Sequence, residues 1–578
     1  MRFQLLFTLF LCINILWGQP LFTPYEQSNG TQTFTYEEGI RFCEQLDSLS
    51  PYHQLFTYGT TDAGKPLHVL VFDVDQDFDP YTSKEVVLIN NAIHPGEPDG
   101  VEASLIFMRD LATNPKLRKR FGGARIVVIP FYNIGGALNR TTHSRANQVG
   151  PEEYGFRGNA KNYDLNRDFI KADALNTFAF YTVFHTWNPH VFIDTHVSNG
   201  ADYQYTMTLI NSQEEKYDEH CAHLLNGYFL PELYRRMKRE KQEISPYVNV
   251  FGTVPDSGIT AFMESPRYSN GYTALFDCLS FVSETHMLKP YKERVPATRL
   301  LLEQIIQLSI ETQVSQAIKK DRQHRQSLRN QGQPYPIPYD WTPSGICDSL
   351  LFKGYTATYK PSDVSGLPRL FYDRTKPFEK YIPYCDSFQA TGIGTAVRAY
   401  VVPAAWKEVI TRLAANGVHI DTIRKSDTLS VIRYQIDQFE TTKMPYEGHY
   451  LHYQTKSKWQ PHQLVVHPGD FLITPDDKTE KFLVNVLIPE APDSYFNWNF
   501  FDPILQQKEG FSSYVFEDIA AELLAKNPSL KAELESRKAL DPEFRGDAYQ
   551  QLLFIYQRSP YFEKSYRHYP VYLIPFSK

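Results

Sequence analysis

Three short segments carry residues able to hold and use a metal ion, each at the end of an apolar run. The first, Asn90-Asn91-Ala92-Ile93-His94-Pro95-Gly96-Glu97, directly follows Val86-Val87-Leu88-Ile89. A Pro-Gly turn at a strand's end can aim an imidazole and a carboxylate at one point, as two ligands of one cation must be aimed. The second, Val191-Phe192-Ile193-Asp194-Thr195-His196, ends another apolar run 99 residues after Glu97. Two histidines and one glutamate leave the fourth tetrahedral position of zinc open to water, the arrangement of catalytic rather than structural zinc. The third, Phe281-Val282-Ser283-Glu284-Thr285-His286, adds a carboxylate that could take a proton from activated water and return it to a leaving amine.

Singly, these motifs have plainer explanations: a polar turn, a satisfied core histidine, a salt-bridged surface glutamate. Their shared place at strand ends favours the chemical reading, because ligands of α/β sheets bind beyond the carboxyl ends of the strands. His467-Pro468-Gly469-Asp470 repeats the first pattern between Val465-Val466 and Phe471-Leu472-Ile473 but has no third ligand in view, and reads as a hairpin turn.

The elements that must position these residues are legible between about 30 and 325. Short β-branched runs such as EVVLIN, ARIVVI and HVFIDTH alternate with amphipathic stretches such as VEASLIFMRDLATN, LNTFAFYTVFHTW and the long segment ATRLLLEQIIQLSIETQVSQAIKKDRQH. Such alternation predicts an α/β fold with a largely parallel or mixed sheet covered by helices. The four prolines of NQGQPYPIPYDWTP, from Asn330, end the pattern and place a boundary there. Residues 19–329 then form the catalytic unit. Residues 330–480 read as a β-rich accessory region interrupted by the helix AAWKEVITRLAANG with Gly417 at its end, and 481–578 as a helical, aromatic C-terminal region.

Between the ligand segments lies Arg157-Gly158-Asn159-Ala160-Lys161-Asn162-Tyr163-Asp164-Leu165-Asn166-Arg167-Asp168. The ordered set HxxE, this Arg/Asp/Asn-Arg segment, a strand-terminal His and a strand-terminal Glu resembles the zinc carboxypeptidases of the carboxypeptidase A type. The resemblance covers about residues 30–325. It implies a mixed, mostly parallel eight-stranded sheet flanked by helices, one Zn²⁺, and removal of the C-terminal residue of peptides. On this resemblance His94, Glu97 and His196 are the zinc ligands and Glu284 the general base. Asn166 and Arg167 grip the substrate's terminal carboxylate, Arg157 stabilises the oxyanion, and Asp164 orients a ligating imidazole. Arg145 competes with Arg157 for the oxyanion role, while Arg267, Tyr268 and Tyr272 in SPRYSNGYTAL are candidate substrate contacts. Asn162 stands where the family usually has Gly, and Asn133-Ile134-Gly135-Gly136 replaces the common Asn-Pro-Asp-Gly.

The first residues, MRFQLLFTLFLCINILWGQP, place Arg2 before an apolar run from Leu5 to Trp17 and read as a signal peptide cleaved after Gly18, so the expected location is secreted or periplasmic. Leu11 before Cys12 argues against a lipoprotein. Five cysteines follow with no CxxC pair, which excludes a dense disulfide scaffold and a Cys-ligated zinc site but allows one or two bridges. A net charge of −7 with 42% hydrophobic and 22% charged residues excludes a disordered chain and a multi-span membrane protein, and gives no basic patch for nucleic acid. The expected partner is a peptide with a free C-terminal carboxylate, with no membrane after signal cleavage. Two other readings stand beside it: an amidase, deacylase or cell-wall peptide hydrolase of the same fold, and a non-catalytic glycan- or peptide-binding protein exploiting the 14% aromatic content.

Overall fold

The computed structural model describes residues 21–250 and 252–576. The expected signal peptide, 1–18, lies outside the described residues. Among these residues no helix is long and apolar enough to cross a membrane.

The predicted alternation builds an eight-stranded mixed sheet. Its strands are β1 (His53–Tyr58), β2 (Leu67–Phe72), β3 (Glu85–Asn90), β4 (Ala124–Ile129), β5 (Val191–Ser198), β6 (Met207–Asn211), β7 (Ser245–Pro246) and, after the two-residue β8 (Ile259–Thr260) of another sheet, β9 (Leu279–His286). The order is β1-β2-β4-β3-β5-β9-β6-β7. The centre, β4-β3-β5-β9, is parallel, and the flanking β1/β2, β2/β4 and β6/β9 pairs are antiparallel. Strands β3, β4 and β5 are buried along their whole length, as expected of parallel strands covered on both faces, and this is why they read as unbroken apolar runs rather than alternating ones.

Helices close both faces. Tyr36–Leu49 starts at a capping box in which the Thr35 hydroxyl accepts the Glu38 N–H and the Glu38 carboxylate accepts the Thr35 N–H. The long segment near 300 is two helices, Tyr291–Thr312 and Val314–Asn330, because Gln313 takes a left-handed conformation (φ 51°) that ends the first.

Residues beyond 330 form three further β pieces. Strands β10 (Pro336–Pro343) and β13 (Phe388–Thr395) pair with each other, and β11 (Asp348–Pro361) with β12 (Pro368–Cys385) as a long hairpin. Cys347 and Cys385 form a disulfide at the base of that hairpin, leaving Cys43, Cys221 and Cys278 as buried thiols. A six-stranded sheet has the order β15-β18-β14-β19-β16-β17, with β14 (Ala399–Val402), β15 (His419–Thr422), β16 (Asp427–Thr441), β17 (His452–Val466), β18 (Phe471–Thr474) and β19 (His568–Ile574).

Two expectations are corrected here. The division at 480/481 does not separate structural units, because β19, at 568–574, returns to pair with both β14 and β16. The His467-Pro468-Gly469-Asp470 segment is a turn, with the Asp470 N–H donating to the His467 carbonyl at 3.1 Å, but not a hairpin: β17 and β18 lie on different neighbours of the sheet.

The accessory region is joined to the catalytic segment through apolar packing and through pairing with β8, which lies outside the eight-stranded sheet. One cluster of buried side chains runs from Leu67 to Leu573 and includes Phe180, Phe184, Tyr272, Phe276, Phe482 and Trp498. Phe276 stacks on Phe482 at 5.5 Å, and β8 pairs in parallel with the end of β12. Much of the aromatic excess is spent on this seam, where large flat side chains contribute area with few rotatable bonds.

Candidate active site

The carboxyl ends of β3, β5 and β9 are adjacent in the sheet, so residues far apart in sequence converge there. Asn90 of β3 is level with Asp194 of β5, and His196 of β5 with Glu284 of β9. Beyond β3 the chain turns at once: the Glu97 N–H donates to the His94 carbonyl at 2.8 Å, and the helix Asp99–Thr113 begins behind it. Gly96 allows this turn its close neighbours, since a Cβ there would lie 2.7 Å from Arg145 Cδ and 3.1 Å from the Gly155 carbonyl oxygen.

His94, Glu97 and His196 are buried, and one ligand atom from each falls within 4.8 Å of the others. His94 Nδ1 is 3.2 Å from His196 Nδ1 and 3.4 Å from Glu97 Oε1, while His196 Nδ1 is 3.1 Å from Glu97 Oε2. Each ring turns its other nitrogen to a carboxylate: His94 Nε2 lies 2.9 Å from Asp164 Oδ1 and His196 Nε2 3.0 Å from Asp194 Oδ2. The His94 imidazole, held in this way by Asp164, presents its free nitrogen to a metal in a fixed direction. Two Nδ1 atoms and one carboxylate, buried together and backed by carboxylates, fit the donor set of Zn²⁺. Burial works against ionisation of Glu97, but Arg145, His94 and His196 outweigh it and hold the carboxyl well below its usual range. Burial likewise opposes charge on His196, yet Asp194 and Glu97 raise it well above the ordinary histidine value. This surplus of negative charge suits a divalent cation, which would replace the protons the imidazoles otherwise attract.

Around these residues opens a cleft of about 490 Å³. Glu284 lines it beside His196, and burial pushes its carboxyl up to about 8, Glu97 reinforcing the shift against His196, Arg145 and Arg157. Arg157, Asn166 and Arg167 line it too. The Arg157 guanidinium is held by Asp164 through Nε at 3.0 Å, and its Nη1 lies 3.3 Å from His94 Nδ1 while the side chain remains 45% exposed. Asn166 accepts the Ser269 N–H on Oδ1 at 2.9 Å, which leaves its Nδ2 donors for the cleft. Arg167 stacks on the Tyr268 ring at 4.3 Å.

Asp164 is the hub of this arrangement. It accepts from His94, from Arg157 and from the Asn166 N–H at 2.9 Å, and although burial raises its pKa, His94, Arg157 and Arg167 hold the carboxyl far below the usual range. Asp164→Asn is therefore expected to weaken zinc binding about 10–100-fold, measured by competition with a chelator, without removing the ion outright. Unchanged affinity would mean that Asp164 does not orient His94.

Other candidates are placed differently. Arg145 lines the cleft but is fully engaged, donating to Glu97 Oε1 at 2.6 Å, Gln148 Oε1 at 2.6 Å and the Val197 carbonyl at 3.0 Å. It buttresses the ligand Glu97 and is mostly covered, whereas Arg157, though anchored by Asp164, is the more exposed of the two arginines at the cleft. Tyr272 does not reach the cleft: it is fully buried in the aromatic seam, its hydroxyl bonded to Asn416 at 2.7 Å, one helical turn beyond the cleft-lining Tyr268. Arg267 also points away, its Nε on Asp493 at 2.7 Å and its guanidinium over Trp498. Tyr247, Asn249, Phe262 and Asn270 line the cleft with no sequence signal beyond a polar-aromatic context. Asn162 takes φ 65°, a conformation that glycine and asparagine tolerate best, so the departure at this position keeps the backbone shape. Asn133 ties the neighbouring loops together, donating to the Ile93 and Arg157 carbonyls and capping the Gly136 N–H.

The sequence profile of the zinc carboxypeptidase family, peptidase M14, matches residues 40–223. Carboxypeptidase 2 of Trichophyton rubrum is 20% identical over 493 residues, covering 81% of this chain and 84% of that protein. Carboxypeptidase 2 of Trichophyton tonsurans is 21% identical over 486 residues with the same coverage. Among solved structures, a metallo-carboxypeptidase from Burkholderia cenocepacia aligns at 18% identity and TM-score 0.37, covering 48% of this chain and 70% of that one. The chain thus resembles zinc carboxypeptidases over residues 40–223, the span that holds the buried His94, Glu97 and His196 at the strand ends.

Proposed function

We propose that this chain is a secreted zinc metallocarboxypeptidase that hydrolyses the C-terminal peptide bond of its substrates. The observation that carries the reading is the placement of Glu284 and Arg157 on one cleft with His94, Glu97 and His196, and of Asn166 and Arg167 beside them. His94, Glu97 and His196 would hold Zn²⁺, which would supply the Lewis acidity that activates water and polarises a carbonyl. Glu284, whose raised carboxyl pKa a neighbouring divalent cation would draw back down, takes the proton from the attacking water and delivers it to the departing amine. Arg157 donates to the oxygen on which negative charge develops. Asn166 and Arg167 bind the terminal carboxylate, so the cleaved bond is the last one. The Cys347–Cys385 disulfide supports an oxidising destination, in keeping with the apolar N-terminal run.

The test is a peptide library scored for C-terminal losses, with and without chelator. Free-acid peptides should lose their last residue in a zinc-dependent way while the amidated forms resist. Arg167→Ala should raise KM and lower kcat on free-acid peptides, together costing about 10–100-fold in kcat/KM. Equal cleavage of free and amidated peptides would overturn the carboxylate clamp, and release of acyl groups or internal cleavage would point to an amidase instead.

A further inference from the structure

We infer that Glu447, in the accessory region, is a positioning residue for the active site, fixing Asp164 from behind. Among the described residues, those lining the cleft all precede residue 288, so the accessory region adds none of them to its wall. It does touch the loop that carries the clamp. Glu447 Oε2 accepts the backbone N–H of Asp164 at 2.8 Å across 283 residues of sequence. Since the Asp164 side chain receives His94, Arg157 and the Asn166 N–H, a carboxylate on its backbone sets the position of a metal-facing imidazole, the oxyanion arginine and the carboxylate clamp together.

The backbone at Glu447 points to the same role. Tyr446 and His449 exchange both backbone hydrogen bonds, at 2.7 and 3.1 Å, around a two-residue turn in which Glu447 has φ 48° and Gly448 φ 87°. Both central residues are left-handed, a turn that favours Asn-Gly or Asp-Gly, and glutamate is a poor choice for it. What glutamate adds over asparagine is reach. Gly448 lets the turn lie flat on Tyr163, where a Cβ would stand 3.0 Å from the ring, and His449 Nε2 bonds Asp173 Oδ2 at 2.7 Å. Arg412, also from the accessory region, donates to the Ala172 carbonyl and to Asp173 Oδ1, each at 3.3 Å. The accessory region thus holds both ends of the segment 163–173, and Glu447 is its contact with the functional end.

The proposal rests on the carboxypeptidase reading only for its kinetic arm. The experiment compares Glu447→Asn and Glu447→Gln with the parent chain by melting temperature, amide hydrogen exchange of peptides spanning 160–170, zinc affinity by chelator competition, and kinetics on a free-acid peptide. Asparagine suits the turn but is one methylene too short, so melting should be unchanged or raised, while exchange at 160–170 accelerates, zinc affinity falls several-fold and kcat/KM falls about tenfold. Glutamine keeps both reach and an acceptor oxygen and should restore most of each effect. If Glu447→Asn leaves exchange and zinc affinity as they were, or if its effects follow a loss of global stability shared by Glu447→Gln, the proposal is overturned. Should the parent hydrolyse no peptide, the carboxypeptidase reading fails, and exchange and zinc affinity alone decide the role of Glu447.

Discussion

Glu284→Gln should bind zinc as the parent chain does and hydrolyse free-acid peptides about 10²–10⁴-fold more slowly, the contribution typical of a positioned general acid–base. The substitution keeps the size and polar character of the side chain on β9 and removes only its capacity to carry a proton away from water. Because Glu284 is not one of the three convergent ligands, metal content by elemental analysis should stay at one zinc per chain. The fall should appear in kcat with little change in KM, since the interaction lost belongs to the transition state rather than to substrate binding. Turnover close to that of the parent would remove Glu284 from the mechanism. Loss of zinc together with activity would show that it supports the ion instead.

The largest expected effect on stability lies just behind that residue. Arg294 and Asp99 are buried and form a two-point ion pair, Nε to Oδ2 at 2.9 Å and Nη2 to Oδ1 at 3.2 Å. Arg294 also donates to the carbonyls of Val149, Gly150 and Lys289, and Asp99 accepts the hydroxyl of Thr285, the neighbour of Glu284. Removing one partner leaves the other charge stranded in the core, so Arg294→Leu should cost about 3–5 kcal/mol, read as a lowered denaturation midpoint. Adding Asp99→Asn to Arg294→Leu should recover part of the loss, because it discharges the stranded carboxylate. A single variant as stable as the parent would mean that water or a local shift already compensates Asp99.

The metal site was legible in the sequence because each of its residues sits at a punctuation mark. His94, His196 and Glu284 each close an apolar run, and parallel β3, β5 and β9 bring run ends together whatever the length of chain between them. Spacing alone could not separate Tyr268 from Tyr272. They lie one helical turn apart in or beside a short helix, and the difference between cleft and core depends on what packs against each. Arg145 and Arg267 were equally undecidable, since an arginine's role follows from the partner that takes its donors. Asp493 lies 226 residues from Arg267 and Glu447 lies 283 from Asp164, and neither pair leaves a periodic or motif signal. The accessory region's strands were visible from their alternation, but the return of β19 was hidden behind more than ninety residues of intervening helix and loop.

That returning strand has a consequence for how the molecule is made. The slot between β14 and β16 is filled by residues 568–574, which are synthesised more than two hundred residues after the catalytic segment. At about 5–20 residues per second, roughly ten to fifty seconds separate the emergence of residue 330 from that of β19. Throughout that interval all three ligand residues are present, and once β16 and β17 have emerged, the turn between them that bears on Asp164 springs from a sheet still missing an inner strand. A chain truncated before 568 would keep every residue of the cleft and lose the frame behind it, so hydrolytic competence should arrive with β19 rather than with completion of the catalytic segment.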